Sequence, residues 1–144
     1  MINYDKKTCK DKTLYSEQTA ISSQKIENLV LDKDCRVLFF DTIDSTNSYL
    51  KQLAENGAAE KTTVVANHQT SGKGRLGRSF YSPSDSGIYM SVLLKPNIEL
   101  KDAVNVTTCA GVAVCLVLEK LFKIKPQIKW VNDIYLEGKK CVAS

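Results

Sequence analysis

The sequence has few of the residues that build disulfide frameworks, zinc sites or histidine-based catalytic sites. Its five cysteines are odd in number and include no Cys-x-x-Cys pair, so neither a disulfide framework nor a zinc site is indicated. We therefore expect buried, reduced thiols in a cytoplasmic protein. The single histidine, His68, has no triad-like partners and is expected to be structural. The longest uncharged stretch, residues 103–118, is shorter than the roughly 20 residues of a membrane span and predicts a buried helix.

The overall composition is that of an ordinary globular domain. Apolar residues make up 43% of the chain, charged residues make up 25%, and the net charge is +4. The basic residues cluster near the N-terminus and between Lys73 and Arg78, and only the second cluster is interleaved with glycines. A mildly basic chain fits an anionic small ligand as well as nucleic acid, so charge alone does not choose between them.

Segments with strand and helix patterns follow one another along the chain. A weak helical pattern covers residues 16–31, and N-cap residues at 44–47 open a helix that Asn56-Gly57 closes. Residues 102–122 predict the long buried helix, and Glu137-Gly138 predicts a turn. Strands are predicted at residues 37–40, 62–66, 87–94, 128–131 and 134–136. Strands interleaved with helices leave the α/β and α+β classes open.

The segment Gly72-Lys73-Gly74-Arg75-Leu76-Gly77-Arg78 combines a flexible backbone with three cations. Glycines allow a close approach to a ligand, and arginine grips carboxylate or phosphate through two bonds. The segment is not a Walker loop, because the G-K-[ST] spacing is absent. A solvated basic loop, or one that touches nucleic-acid phosphates, remains an alternative.

Two shorter motifs are ambiguous when taken alone. Asp44-Ser45-Thr46-Asn47 at a strand-to-helix junction could hold a polar ligand, although helix capping explains it more simply. Lys129-Trp130-Val131-Asn132-Asp133 could place a carboxylate beside Mg²⁺ and phosphates, although Asn-Asp pairs are common in turns for local reasons.

The order of the motifs is more specific than any one of them. Ile43-Asp44-Ser45-Thr46-Asn47 is followed by Gln69 and the Gly/Arg segment, then Ser82-Pro83, Gly87-Ile88-Tyr89-Met90-Ser91 and Lys129-Trp130-x-Asn132-Asp133. This order resembles the catalytic domain of biotin–protein ligases, in the biotin/lipoate ligase superfamily, over about residues 37–142. The resemblance implies an α+β fold with a mixed β-sheet packed with helices, similar to class II aminoacyl-tRNA synthetases. It also implies an N-terminal extension at residues 1–36 without a complete helix-turn-helix, followed by a partial catalytic domain at 37–144.

The resemblance further implies a reaction and the residues that carry it. Such enzymes use ATP and Mg²⁺ to convert biotin to biotinyl-5'-AMP, and they then transfer biotin to a lysine of a biotin carboxyl carrier domain. The implied biotin-binding residues are Ser45, Thr46, Asn47, Gln69, Gly72, Lys73, Arg75, Tyr89, Ser91 and Lys140. The implied nucleotide-binding residues are Lys73, Arg75, Arg78, Phe80, Lys129, Asn132 and Asp133. Lys140, Arg75 and Asp133 are the implied catalytic residues, and Asp133 is the implied Mg²⁺ ligand.

The sequence departs from the family pattern near its end. Val131 stands where the family has proline, and the family's Gly-Ile-Leu continuation is absent after Cys141. A one-base slip in the adenine run encoding Lys139-Lys140 would produce this ending. We expect a truncated catalytic domain of low stability, with weak or absent ligation.

Three other functions stay open at this point. A lipoate or octanoate transferase is the alternative within the superfamily. A biotin-sensing repressor is disfavoured, because residues 1–36 are too few for a helix-turn-helix, so DNA is not an expected partner. An inactive fragment is the third. No membrane partner is expected, and a homodimer is left open.

Overall fold

The structure, a computed structural model, describes residues 21–74, 78–99, 102–129 and 133–142. The expectations for the N-terminal basic run, Arg75, Trp130, Val131 and Asn132 lie outside the described residues. The chain divides into two compact units, residues 1–95 and residues 96–144. Each unit is described by itself.

The first unit is built on a mixed three-stranded sheet. Its strands are β1 (Arg36–Ile43), β2 (Thr62–Gln69) and β3 (Tyr89–Val92), in the spatial order β1-β2-β3. β1 and β2 are parallel, whereas β2 and β3 are antiparallel. The third strand is shorter than the predicted 87–94. Val64 and Ala66 from β2 are almost completely buried and form the centre of the core with Val37 and Leu50.

Helix α1 (Ser23–Leu29) covers the free edge of β1. The backbone N–H of Val37 donates to Glu27 Oε1 at 2.8 Å, and the N–H of Phe39 donates to Ser23 Oγ at 2.9 Å. An uncovered edge strand would leave these donors open to pairing with another chain. The helix predicted from the weak pattern is thus confirmed over seven residues, and the domain boundary at residue 36 stays a prediction.

Helix α2 (Thr46–Glu55) connects the parallel strands β1 and β2. Ser45 is its N-cap, with Oγ accepting a hydrogen bond from the N–H of Ser48 at 3.3 Å. The helix is followed by Gly57 with a φ of +84°, a conformation that favours glycine. The predicted beginning and end of this helix are both confirmed.

The second unit contains one long helix and an antiparallel sheet. Helix α3 (Ala103–Phe122) is followed by β4 (Gln127–Lys129), β5 (Asp133–Leu136) and β6 (Lys139–Val142). The sheet order is β4-β5-β6. Glu137 and Gly138 both have positive φ, at +49° and +77°, which is the arrangement of a tight type I′ hairpin turn. The predicted turn is therefore confirmed.

The prediction that α3 is a buried helix is wrong. Among the α3 residues whose burial is described, only Gly111 and Cys115 are buried, while Leu116, Leu121 and Phe122 are at least 60% exposed. A low charge content predicts an apolar helix, but it does not show how much of that helix a small sheet can cover. The expectation that this part of the chain is too short for a membrane span is also wrong, because the helix from Val104 to Phe122 is long and apolar enough to cross a membrane. Its mean hydropathy is 1.6. Length and composition alone do not distinguish such a span from a core helix.

The cysteines are only partly as expected. The described cysteines are all free, as predicted, but only Cys115 is buried. Cys35 is half-buried, whereas Cys109 and Cys141 are exposed. Burial raises the pKa of the Cys115 thiol above its usual value of 9.0, with smaller contributions from Glu119 and Cys141.

Candidate functional site

The candidate site of the first unit lies where the parallel strands β1 and β2 end side by side. Ile43 is paired with Gln69 at this edge. The N–H of Thr70 donates to Ile43 O at 2.9 Å, and the N–H of Ser71 donates to Asp44 O at 2.8 Å. The start of α2 and the residues after β2 are thereby held together.

Four polar side chains form a continuous hydrogen-bonded chain at this edge, which we call the polar network: Thr46, Gln69, Ser82 and Ser91. Gln69 Oε1 accepts from the N–H of Thr46 at 2.8 Å and from Thr46 Oγ1 at 3.1 Å. Thr46 Oγ1 lies 2.9 Å from Ser91 Oγ on β3, and Gln69 Nε2 donates to Ser82 Oγ at 2.9 Å. Thr46 and Ser82 are both buried. A buried polar network is stable only when its members satisfy one another, and this one does.

The partners fix the direction of every hydrogen bond in the polar network. Gln69 Oε1 can only accept, so the Thr46 hydroxyl donates to it. Because the Thr46 hydroxyl donates its one hydrogen bond to Gln69, Ser91 must donate to Thr46. Ser91 Oγ is then left with acceptor capacity only, which suits an N–H group on a ligand.

The other residues predicted to bind biotin play unequal parts. Ser45 is 1% exposed and its hydroxyl serves as the helix cap. Asn47 is exposed at the same turn, and its side chain has no hydrogen-bond partner within the part of the chain that the structure describes. Tyr89 lies on the same face of β3 as Ser91, but its hydroxyl donates to Pro83 O at 2.9 Å.

The Gly/Arg segment begins and ends in a short antiparallel stem that the sequence analysis did not predict. Lys73 pairs with Ser79, the N–H of Gly74 donates to Arg78 O at 2.7 Å, and the N–H of Phe80 donates to Gly72 O at 2.8 Å. We call residues 72–74 and 78–80 the loop stem. Lys73 and Arg78 are exposed on it.

Two more features of the loop stem concern ligand binding. The Phe80 side chain is 39% exposed, which leaves ring surface available for the predicted stacking. Gly72 is buried against the polar network, since a Cβ there would lie 2.6 Å from Ser82 Oγ and 3.2 Å from Gln69 Nε2. The stem therefore joins the cationic segment to the polar network.

The part played by Ser82 was not predicted from the sequence. Ser82-Pro83 belongs to the family motif, but serine before proline is a common turn residue and by itself indicates no role in the site. The available signal was the position of Ser82 on the return from the Gly/Arg segment, since a chain that comes back toward Gln69 must place some residue beside it.

The second unit brings together two of the three residues predicted to be catalytic. Lys140 Nζ lies 2.7 Å from Asp133 Oδ1, between the neighbouring strands β6 and β5. Lys129, also predicted to bind nucleotide, places its Nζ 5.7 Å from the centre of the Tyr135 ring. The third, Arg75, and the nucleotide-binding candidate Asn132 lie outside the described residues.

The donor set around Asp133 does not by itself build a magnesium site. Within residues 21–74, 78–99, 102–129 and 133–142, no group of three His, Cys, Asp or Glu side chains could hold a metal ion. The one carboxylate at this place is already paired with Lys140. Mg²⁺ commonly takes one or two carboxylates together with substrate phosphates, so a role for Asp133 as ligand stays a prediction.

Residues 39–144 match the model of the biotin/lipoate A/B protein ligase family. The chain belongs to this family. Its curated relatives include the bifunctional ligase/repressor BirA of Bacillus subtilis, which is 41% identical over 106 residues. That of Escherichia coli is 32% identical over 105 residues. The matches cover 74% and 72% of this chain, so the resemblance found in the motifs is confirmed.

Among solved structures, the fold resembles the biotin protein ligase from Aquifex aeolicus in complex with biotin and ATP. The TM-score is 0.63 at 35% sequence identity, over 72% of this chain and 43% of that one. The predicted α+β biotin/lipoate ligase fold is thereby confirmed. The chain spans about a third of the length of the curated relatives it matches, since 33% and 32% of those proteins are covered.

Proposed function

We propose that this chain provides the biotin-recognition part of a biotin–protein ligase that activates biotin with ATP and transfers it to a lysine of a carrier domain. The observation that carries the proposal is the polar network of Thr46, Gln69, Ser82 and Ser91, in which Thr46 and Ser82 are buried and Gln69 and Ser91 are half-buried. Family membership supports a ligand of the biotin and lipoate class, and the polar network favours biotin over lipoate.

The polar network distinguishes between the two cofactors that the superfamily handles. The ureido ring of biotin carries N–H donors and a carbonyl acceptor, whereas the dithiolane ring of lipoate carries neither. Ser91 Oγ is oriented as an acceptor, and the Asn47 amide at the start of α2 is exposed. A site that hydrogen-bonds its substrate rejects analogues that lack the partner groups, because its own polar groups would then be left unpaired.

The loop stem supports the activation chemistry. In this reaction an oxygen of the biotin carboxylate attacks the α-phosphorus of ATP, the bond to the β-phosphate oxygen breaks, and pyrophosphate leaves. The reaction brings two anions together, and cations are needed to stabilise the developing charge. Lys73 and Arg78 supply positive charge on either side of the stem, and Arg75 adds a third cation in sequence.

The second unit carries the pair of Lys140 and Asp133. Lys140 can donate hydrogen bonds to a carboxylate or phosphate once its ammonium leaves Asp133, and both side chains are partly exposed. Mg²⁺ would supply further charge neutralisation at the phosphates. In the second half-reaction a carrier-domain lysine would attack the acyl carbon and release AMP. The biotin carboxyl carrier domain as partner and the cytoplasm as location are parts of this proposal.

Titration calorimetry with the 144-residue chain tests the choice of ligand. We expect biotin to bind at least about tenfold more tightly than lipoate, since one unpaired buried polar group costs about 1–3 kcal/mol. Ser91→Ala should weaken biotin binding and leave any lipoate binding unchanged. Ser84→Ala is the matched control, because Ser84 is an exposed serine outside the polar network. Lipoate binding as tightly as biotin would contradict the proposal.

Release of pyrophosphate from ATP tests the reaction itself. We expect any release to be weak and to depend on biotin and not on lipoate. Release with lipoate alone would favour the lipoate-ligase alternative. The name of the Bacillus relative also includes a repressor, and DNA binding is not part of the proposal.

A further inference from the structure

Ser82 is a buried side chain in an irregular segment and is linked to both halves of the site. Only 3% of its surface is exposed. Its hydroxyl donates to Phe80 O at 3.0 Å and accepts from Gln69 Nε2 at 2.9 Å. Ser82 therefore connects the loop stem to the side chain at the end of β2.

Thr46 determines which way the Gln69 amide faces, and Ser82 holds its other end. The N–H of Thr46 is a donor, so the Gln69 atom beside it must be the acceptor Oε1. The NH₂ end of the amide then points to Ser82 Oγ, which can accept because its own proton goes to Phe80 O. Without an acceptor at Ser82, the NH₂ group would lose its hydrogen bond to a buried partner, and the amide would be held at its Oε1 end alone.

The backbone holds Ser82 in this place. The N–H of Gln69 donates to Ser82 O at 3.2 Å, so the two residues are joined by main chain as well as by side chain. Gly72 packs against the same hydroxyl so closely that a Cβ would lie 2.6 Å from it. Little room remains for the hydroxyl to move or for water to replace it.

We propose that Ser82 is a positioning residue that holds the NH₂ end of the Gln69 amide and so keeps Gln69 Oε1 in place against Thr46, which in turn bonds to Ser91. It acts through Gln69 and does not contact the ligand. Its effect on biotin binding rests on the function proposed above, whereas its effect on Gln69 does not.

Nuclear magnetic resonance of the Gln69 side-chain amide tests the positioning directly in the ligand-free chain, with the signal assigned by its loss in Gln69→Met. We expect Ser82→Ala to speed exchange of the amide proton with water about tenfold, as for the loss of one hydrogen bond. Ser82→Cys, which keeps a weaker side-chain acceptor, should give an exchange rate between those of wild type and Ser82→Ala, and it serves if the alanine variant does not fold. Ser84→Ala, at an exposed serine, is the control.

Calorimetry on the same variants measures the consequence for biotin. We expect Ser82→Ala to weaken binding about tenfold and Ser82→Cys to weaken it less. A structural role alone would lower the melting temperature without moving the Gln69 signal. An unchanged Gln69 signal in Ser82→Ala and Ser82→Cys would overturn the proposal even if biotin binding fell. If the wild-type chain does not bind biotin, the proposed function fails, and the Gln69 signal still decides the role of Ser82.

Discussion

Replacement of Gly72 by alanine is the most specific perturbation that the structure offers. A Cβ at this position would lie 2.5 Å from Phe80 O and 2.6 Å from Ser82 Oγ. Phe80 lies on the opposite side of the loop stem, and its backbone N–H donates to Gly72 O at 2.8 Å. The carbonyl therefore cannot move away without breaking the stem, and the Ser82 hydroxyl cannot move away without leaving Gln69.

The magnitude follows from these two conflicts. Forcing one extra carbon into a well-packed site costs about 1–3 kcal/mol. A displaced Ser82 adds about 1 kcal/mol for a lost hydrogen bond. We expect Gly72→Ala to lower the free energy of unfolding by about 2–4 kcal/mol and to weaken biotin binding by at least about tenfold.

Urea denaturation followed by circular dichroism measures the first effect, and calorimetry measures the second. Gly111→Ala is a control of opposite sign, because nothing lies within 4 Å of a Cβ there and alanine stabilises a helix interior by up to about 1 kcal/mol. Gly57→Ala separates steric from backbone effects, since its cost comes from a φ of +84°. A Gly72→Ala chain with wild-type stability and affinity would refute the close packing of stem and polar network.

Three further predictions concern charge and exposure. Lys140→Gln should change the free energy of unfolding by less than about 1 kcal/mol, because the pair with Asp133 is partly exposed, yet weaken binding of a biotinyl-adenylate analogue about tenfold in calorimetry. The hydrogen bond from Lys61 lowers the pKa of Asp32 below its usual 3.8. The stabilisation that ionised Asp32 gives is present above its usual pKa and is lost as pH falls through the lowered pKa. The melting temperatures of wild type and Asp32→Asn should therefore converge in acid. Cys115, buried and with a raised thiol pKa, should react with iodoacetamide last among the described cysteines in mass spectrometry, and early labelling would contradict its burial.

Local signals allowed parts of the fold to be predicted correctly. Ser45 and Gly57 mark the limits of α2 because capping and positive φ depend on neighbouring residues alone. The Glu137-Gly138 turn was predictable for the same reason. The resemblance brought Thr46, Gln69 and Ser91 together as candidates, and the structure places their polar atoms in contact.

Features that depend on distant contacts were not predictable. The burial of α3 was predicted wrongly, because its apolar sequence does not reveal that, among the α3 residues of described burial, only Gly111 and Cys115 are covered. The loop stem was missed because several of its residues, such as Gly72 and Ser79, have little preference for strands. The part played by Ser82 was missed because its hydroxyl is buried by the loop stem, which was itself not predicted.

The position of the polar network follows from strand direction and register. Because β1 and β2 are parallel, the residues after β1 and the last residue of β2 meet at one edge, with Ile43 opposite Gln69. Ser91 lies on β3, which runs antiparallel to β2 and pairs Ser91 with Val64. Thr46 at the start of α2 bridges Ser91 to Gln69. Successive strand side chains alternate between faces, so a slip of one residue in β2 would turn Val64 and Ala66 away from the core. Such a slip is costly, because it would expose these two buried side chains. The apolar core of the first unit therefore sets the register in which Ile43 lies opposite Gln69 and Ser91 lies opposite Val64.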